Sequence, residues 1–142
     1  MPDAFRLSTL PVGHIWQAVS FGAPLESRLA AFAPRAAGPL TWLIVGDHRR
    51  SFAEAARALE PEGALIDLSH GRVRYEIAGP GARAKLATGT AVDLAPSAFA
   101  EGAACLTMFN AIAVHLTRTG ADRFEILVGR SFAESLWREL AE

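Results

Sequence analysis

The chain has 142 residues, 51% of them hydrophobic, and 14 Lys+Arg against 15 Asp+Glu give a formal charge of −1. This near-neutral charge excludes a general affinity for nucleic acid or anionic membranes, because both need a concentrated positive field. High hydrophobicity with low net charge also excludes a disordered chain. The length predicts a single domain over residues 1–142, able to bury roughly two-thirds of its unfolded surface.

Cysteine usage and apolar runs restrict the class of protein further. The single cysteine, Cys105, excludes an intrachain disulfide and a multi-cysteine zinc site. The first ten residues lack the basic and apolar segments of a signal peptide. Thr107, Asn110 and His115 interrupt the longest apolar stretches, which fall short of the roughly 20 residues of a membrane helix. We therefore expect a soluble cytoplasmic protein with no membrane partner.

The apolar fraction is high for a domain of this size. Ordinary domains are about 45–50% apolar with glycine counted, whereas this chain reaches 51% without its 12 glycines. One interpretation is that another subunit covers part of the surface, so that the isolated chain would self-associate or need its partners. The alternative is that abundant alanine, which costs little when exposed, inflates the figure.

The first half of the chain predicts two strands and one helix. A short strand is predicted from His14 to Val19, and a loop with one helical turn over the Ala-, Pro- and Gly-rich residues 23–39. Trp42–Val45 forms an apolar strand. Ser51 begins a helix with Glu54 at capping-box spacing. The residues expected on its apolar face are Phe52, Ala55, Ala56 and Leu59.

The middle of the chain predicts a hairpin followed by a helix. Strands Ala64–Leu68 and Arg72–Ala78 are joined by a three-residue turn, and the second strand alternates polar with apolar residues, as in an antiparallel sheet with one wet face. Pro80 favours a helix start, and Gly89 a left-handed helix end. The expected apolar stripe of this helix consists of Ala82, Leu86 and Ala87.

The last forty residues predict two strands and a helix. Ala104–Thr117 is interpreted as one long strand, which turns at Thr119–Asp122 and pairs with Phe124–Val128. Ser131 is expected to cap the final helix through the backbone N–H near Glu134. The residues predicted on its buried face are Phe132, Leu136, Trp137 and Leu140.

This order of elements predicts an α+β fold built from split β-α-β units, with helices on one face of a mainly antiparallel sheet. Leu43–Glu54 also resembles Ile126–Glu134, since each reads as strand, turn and capped helix. Similar strand-to-helix joints explain this internal echo, and a duplicated half-domain is the alternative.

The segment Gly79–Ala84 fits G-x-G-x-x-A between a strand and a helix, a pattern that lets a pyrophosphate approach a helix N-terminus. The preceding strand alternates, however, whereas a Rossmann first strand is buried on both faces. No acidic residue ends a following strand at the required distance. A helix-start signal is therefore favoured over a nucleotide site.

The remaining reactive residues form no constellation. His14, His48, His70 and His115 lack H-x-x-x-H or H-E-x-x-H spacing, so no metal site is predicted. His115, in an apolar strand, is interpreted as structural. Cys105 lies in a strand that is predicted to be buried, where a thiol keeps a high pKa and is a poor nucleophile. We predict no catalytic, cofactor-binding or metal residue on this chain.

Two further groups of residues are candidate binding sites. Asp67, Ser69 and His70 lie in a turn where side chains could meet a ligand, but Asp67 and Ser69 are expected to bond local backbone N–H groups. A basic cluster is diluted by Glu76 and by the neutral charge, so no nucleic-acid partner is expected. The cluster consists of Arg72, Arg74, Arg83 and Lys85.

Four segments form a recognisable set. They are Asp67-Leu68-Ser69 with Gly71-Arg72-Val73, Gly79-Pro80-x-Ala82-x-x-x-Leu86-x-x-Gly89-x-x-x-Asp93-Leu94, Phe99-x-x-Gly102, and Val128-x-Arg130-Ser131-Phe132-Ala133-x-x-Leu136-Trp137. This set resembles the gamma subunit of heterotetrameric sarcosine oxidase over roughly residues 40–142. Its R-S-F-A joint is the most specific part, and residues 1–39 match the pattern poorly.

The resemblance implies a non-catalytic structural subunit. The family's complex has four different subunits and oxidises sarcosine to glycine, with tetrahydrofolate and oxygen as acceptors. The resemblance places FAD, FMN and NAD on the alpha and beta subunits and zinc on the delta subunit, with none of them on this chain. It also implies the folate-binding fold of the glycine-cleavage aminomethyltransferase.

Two alternatives stay open. Sister complexes that act on other N-methyl amino acids have similar gamma subunits. A stand-alone folate or one-carbon-binding protein of the same fold would need an acidic residue to bond the pterin and an aromatic residue to stack on it, for which Asp67 and Trp42 are the candidates.

Overall fold

The computed structural model describes residues 4–46 and 51–142, so His48 and the central part of the internal echo lie outside the described residues. The chain divides into two compact units, one made of residues 4–10 with Gly71–Glu142 and the other of Pro11–His70. Both are built on antiparallel sheets with few helices, which confirms the predicted α+β class. The expectation of one domain over residues 1–142 stays a prediction. Within the described residues, no helix is long and apolar enough to cross a membrane.

The unit Pro11–His70 contains a four-stranded sheet in the order β3-β4-β2-β5. Its strands are β2 (His14–Ser20), β3 (Arg35–Ala36), β4 (Thr41–Gly46) and β5 (Gly63–Asp67). A 3₁₀ helix, Glu26–Phe32, occupies the stretch predicted as a loop with a helical turn. Trp16 and Trp42 from the sheet pack in one cluster with Leu29 of that helix. The predicted strands 14–19 and 42–45 are therefore confirmed.

Helix α1 (Phe52–Leu59) begins where its capping residue predicts. The Ser51 hydroxyl accepts a hydrogen bond of 3.1 Å from the backbone N–H of Glu54. Ala55 and Leu59 are buried as expected, but Phe52 is exposed and Ala56 only half-buried. The predicted four-residue apolar face is thus half right, because a two-turn helix on a small sheet buries a narrow stripe.

The other unit contains a five-stranded sheet in the order β1-β6-β9-β8-β7 and two helices. The strands are β1 (Arg6–Leu10), β6 (Arg72–Ala78), β7 (Ala104–Phe109), β8 (Ile112–Gly120) and β9 (Arg123–Gly129), and the helices are α2 (Ala82–Ala87) and α3 (Ala133–Ala141). Both helices contribute to the same apolar cluster as the central strands, through Leu86 and Leu136 against Ile77 and Ile126. This agrees with the prediction of helices on one face.

The predicted hairpin between β5 and β6 is wrong. β5 pairs with β2 in the smaller sheet, whereas β6 lies between β1 and β9 in the larger one. The 3₁₀ turn Ser69–Gly71 carries the chain from one sheet to the other. The apolar side chains of β6 decide its partners, since Tyr75 and Ile77 are buried in the cluster that contains Phe124.

The long strand predicted over 104–117 is also wrong, because this segment is a hairpin. β7 and β8 pair antiparallel, with Phe109 opposite Ile112 and a two-residue loop between them. Asn110 has φ +52°, a left-handed conformation that asparagine tolerates better than most residues. The turn at 121–122 and the return strand, in contrast, agree with the prediction.

Gly89 does not end α2 in a left-handed conformation. Ala87 is the last residue of the helix and Thr88 its C-cap, and a Cβ at Gly89 would lie 2.4 Å from Cε2 of Phe109. Glycine is therefore required by the close approach of an aromatic ring. Of the predicted stripe, Ala82 and Leu86 are buried and Ala87 is exposed.

The start of α3 differs from the prediction as well. Arg130–Phe132 forms a 3₁₀ turn, α3 begins at Ala133, and no side chain caps it. Ser131 is therefore not the cap, and Phe132 is 57% exposed instead of buried. The 3₁₀ turn shifts the helix start by two residues. The buried side of α3 still contains Leu136 and Leu140, as predicted.

The two serines of the internal echo provide a matched test. Ser51→Ala removes a real cap and is expected to lower the free energy of unfolding by about 1 kcal/mol. Ser131→Ala removes no cap, so a change within about 0.5 kcal/mol is expected. Chemical denaturation of both variants measures the difference. Equal losses would contradict the assigned start of α3.

Candidate functional site

The turn after β5 is held by hydrogen bonds within the turn and to β2. Oδ1 of Asp67 accepts from the backbone N–H of Ser69 at 2.9 Å and from its hydroxyl at 2.6 Å. The Ser69 hydroxyl in turn accepts from the backbone N–H of Ile15 at 2.9 Å. The N–H of Leu68 donates to the carbonyl of Ile15 at 2.8 Å. The predicted bond to a local backbone N–H is confirmed for Asp67, whereas the Ser69 hydroxyl bonds the backbone of Ile15 on β2, which is distant in the chain.

The Asp67 carboxylate is held in its charged form. The hydrogen bond from the Ser69 hydroxyl is the main reason that the pKa of Asp67 lies below its ordinary value, followed by the bond from the Ser69 backbone. The positive fields of His70 and His14 lower this pKa further. Asp67 is an exposed anion at pH 7 and therefore a poor general acid or base.

Aromatic rings lie beside this turn. The rings of His14 and Trp16 stack with centroids 3.9 Å apart, and Trp16 makes an edge contact with Phe52 at 5.4 Å. Trp16 is also opposite Asp67 in the β2–β5 register. The fold therefore brings His14 and Trp16 to the turn of Asp67. Sequence reasoning missed this grouping; the only local signal is the i, i+2 spacing of His14 and Trp16, which places both on one face of a strand.

The turn places one carboxylate near two histidines, His14 and His70, without forming a catalytic group. Across residues 4–46 and 51–142, no three or more His, Cys, Asp or Glu side chains are close enough to hold a metal ion. The Ser69 hydroxyl is hydrogen-bonded to a carboxylate and not to a histidine base. A nucleophile–base pair of the kind used in acyl transfer is thus not formed here.

The two residues considered for a pterin pocket are not brought together. Trp42 lies on β4 opposite Ala18, whereas Asp67 lies on β5 opposite Trp16, so strand β2 separates them. Trp42 is buried in the apolar cluster of its unit, and Asp67 is exposed. The indole is therefore not available for a ligand ring to stack on.

The G-x-G-x-x-A segment forms hydrogen bonds with other parts of the chain and does not form a phosphate site. Its N–H groups are used internally, because Gly81 donates to the carbonyl of Ala4 and Gly79 to that of Asp122, both at 2.9 Å. A Cβ at Gly79, where φ is +129°, would lie 2.7 Å from the carbonyl oxygen of Ala4. Glycine at position 79 therefore leaves room for the main chain of Ala4, which precedes β1. This agrees with the preference for a helix-start signal.

Three other titratable residues lie in surroundings that favour a structural role. His115 is buried on β8, in keeping with its interpretation as a structural residue. Burial raises the pKa of the half-buried Cys105 thiol, which favours the unreactive protonated form. Burial also raises the pKa of Tyr75, whose hydroxyl donates to the carbonyl of Ala133 at 2.9 Å and joins β6 to α3.

Two of the four residues in the predicted basic cluster form ion pairs with neighbouring carboxylates. Arg74 forms an ion pair with Glu125, and Arg83 forms one with Asp122 at 3.3 Å. Lys85 donates to the main-chain carbonyl of the last residue at 2.7 Å. The expectation of no nucleic-acid partner stays a prediction.

The lowered pKa of Asp67 can be tested through its main cause. Ser69→Ala removes the hydroxyl donor, so the pKa of Asp67 is expected to rise toward its ordinary value, as measured by NMR titration of the carboxyl carbon. Because the folded pKa is depressed, the carboxylate stabilises the fold above about pH 4 and loses this effect as pH falls through the folded pKa. An unchanged titration in Ser69→Ala would refute this cause.

Comparison with known proteins places the chain in a family. The model of the sarcosine oxidase gamma subunit family matches residues 14–142, and the chain belongs to this family. Heterotetrameric sarcosine oxidase from Corynebacterium sp. U-96, in complex with pyrrole 2-carboxylate, contains a chain of similar fold. The TM-score is 0.83 at 23% identity, and the match covers 99% of this chain and 83% of that one. A search of curated protein sequences finds no significant match.

Two other solved structures share the fold at lower identity. The glycine cleavage aminomethyltransferase T of Bartonella henselae matches with a TM-score of 0.64 at 17% identity, covering 96% of this chain and 45% of that one. A C-terminal regulatory domain of aspartate kinase from Porphyromonas gingivalis W83 matches with a TM-score of 0.53 at 14% identity, covering 98% of this chain and 96% of that one. The aminomethyltransferase match agrees with the fold that the sequence resemblance implied.

Proposed function

We propose that this member of the sarcosine oxidase gamma subunit family is a non-catalytic assembly subunit of a heterotetrameric sarcosine oxidase. In this proposal the alpha, beta and delta subunits are its partners and carry FAD, FMN, NAD, zinc and the tetrahydrofolate site. The complex oxidises sarcosine to glycine in the cytoplasm. The observation that carries the proposal is the family match, which spans nine-tenths of the sequence.

The state of the polar side chains supports a non-catalytic role. Among the described residues, several side chains that the sequence suggested as reactive or ligand-binding are engaged in a structural bond or disfavoured in their reactive form. Asp67 is bonded to Ser69, and the Cys105 thiol has a raised pKa. Arg74 and Arg83 pair with carboxylates. Chemistry on the substrate is therefore assigned to other subunits.

The stand-alone folate-binding alternative has less support. Its two candidate residues are separated by a strand, and one of them is buried in the core. The aminomethyltransferase match covers only 45% of that enzyme's chain. A sister complex with another N-methyl amino acid as substrate is compatible with the same family, and the substrate comparison below separates the two.

The isolated chain is expected to produce no hydrogen peroxide from sarcosine, even with FAD and FMN added. Co-expression with the alpha, beta and delta subunits of the same source is expected to give a complex that contains this chain and produces peroxide. A peroxide assay with sarcosine, and in parallel with other N-methyl amino acids, measures both samples. Turnover by the isolated chain near that of the complex would overturn the non-catalytic role.

Pull-down from the co-expressing cells provides the test of assembly. A tag on this chain is expected to recover the other three subunits in equal amounts. Tight binding of tetrahydrofolate to the isolated chain, with no recovery of partner subunits, would replace the proposal by the stand-alone alternative.

A further inference from the structure

We propose that strand β7 is a docking edge, where an extended, uncharged segment of another subunit adds to the five-stranded sheet. The inference rests on the proposed function, because it names the surface through which the chain would join its complex. It depends on three properties of β7: an open edge, a lack of protective residues and exposed apolar side chains.

β7 is the last strand in the order β1-β6-β9-β8-β7 and pairs only with β8. In an edge strand, every second residue directs its N–H and C=O away from the sheet. In the described part of the chain, no backbone hydrogen bond joins residues 104–109 to a loop or helix on that side. The edge is therefore free to pair with an added strand.

The edges of both sheets differ in how they are protected. Natural edge strands resist pairing through charges, prolines, bulges or short length. β1 begins with Arg6 and is followed by Pro11, β3 has only two residues and includes Arg35, and β5 ends at Asp67.

β7, in contrast, has six residues, without a charge or a proline. Its register with β8 is regular, whereas the β8–β9 pairing contains an irregularity. Of the four edge strands described, β7 is thus the one with neither a charge nor a proline and with more than five residues, and its Thr107 forms a side-chain hydrogen bond with Thr90 in a loop.

The side chains beside this edge are apolar and open to solvent. Leu106 is 59% exposed and Met108 is 47% exposed, and both project to the same face because they are two residues apart. Ala113, opposite Met108 on β8, is exposed as well. We call Leu106, Met108 and Ala113 the β7 strip. An incoming strand would cover this strip while its main chain pairs with β7.

These features define the chemistry of the occupant. It is an extended segment with apolar residues at alternate positions and no charge opposite Leu106 or Met108, because the strip offers no countercharge.

A second copy of this chain is the competing occupant. Three exposed side chains fall well short of the roughly 800 Å² per partner of a stable interface. A larger subunit, which can contact other surfaces of the chain at the same time, is therefore favoured.

The experiment compares tagged variants of this chain co-expressed with the other three subunits. Leu106→Lys combined with Met108→Lys is expected to reduce the recovered partner subunits at least tenfold. Phe132→Lys is the matched control, since Phe132 is 57% exposed but lies outside the sheet, and it is expected to recover partners as the wild type does. Hydrogen exchange of residues 104–109 is expected to slow in the wild-type complex, and that of Arg6–Leu10 to stay unchanged.

Each outcome separates the inference from the proposed function. Recovery of partners by the double variant at wild-type levels, or unchanged exchange of β7 in the complex, would overturn the docking edge alone. No recovery by the wild type would overturn the proposed function and the inference with it. A dimer of the isolated wild type that the double variant abolishes, with complex assembly unaffected, would assign β7 to a second copy. Should the double variant unfold, the exchange measurement on the wild-type complex decides.

Discussion

Leu136→Ala is expected to lower the free energy of unfolding by about 2–5 kcal/mol, one of the largest effects of a single side chain in this protein. Leu136 is fully buried on α3 and packs in the cluster that contains Ile77 and Ile126. Truncation removes apolar burial and leaves a cavity, because the close-packed cluster around Leu136 restricts collapse of the surroundings. Urea denaturation followed by circular dichroism measures the change.

Leu106→Ala is the matched control for this prediction. The chemical change is the same, but Leu106 is largely exposed at the sheet edge, so a difference within about 0.5 kcal/mol is expected for the isolated chain. If both variants lost the same stability, α3 would not be docked on the sheet through Leu136. A small loss of stability in Leu106→Ala would also mean that the fold does not depend on this side chain of the β7 strip.

The elements that sequence reasoning located correctly depend on local interactions. Ser51 and Glu54 are three residues apart, and the cap they form is present. Asp67 and Ser69 are two residues apart, and the turn they form is also present. Such bonds follow from the order of residues alone.

The errors concern interactions between residues far apart in the chain. β5 and β6 are neighbours in sequence but pair in different sheets, because the burial of Tyr75 and Ile77 outweighs proximity. Gly89 was assigned a helix-ending role, whereas its reason is the ring of Phe109, twenty residues later. The local sequence pattern identifies neither the strands that pair with β6 nor the ring that contacts Gly89.

The same distinction applies to the candidate site. The hydrogen bonds of Asp67 were predictable, but the position of Trp16 beside it follows from the β2–β5 register, which pairs residues 51 positions apart. The separation of Trp42 from Asp67 has the same origin, since both strands pair with β2. Sequence reasoning could therefore name the residues of a site but could not assemble them.

Arg118→Met is expected to lower the free energy of unfolding by about 3 kcal/mol, because a buried guanidinium holds three main-chain carbonyls. Arg118 is 8% exposed and donates to the carbonyls of Phe99, Gly120 and Ala121 at 3.0–3.1 Å. Methionine fills much of the volume but offers no donor. Only Ala121 keeps another side-chain donor, Nη2 of Arg83 at 3.0 Å.

Arg138→Met is the control, since it removes an arginine side chain that is exposed to solvent. Its side chain is 68% exposed and pairs with Glu134 one helical turn away, a bond worth about 0.5 kcal/mol or less. The stability loss in Arg118→Lys is expected to lie between those of the two methionine variants. An ammonium keeps the charge but lacks the planar fork that reaches three carbonyls at once. Thermal and urea unfolding of the three variants give the order. If Arg118→Met were no worse than Arg138→Met, water would have to replace the guanidinium at these carbonyls, and the junction between residue 99 and the β8–β9 turn would not depend on Arg118.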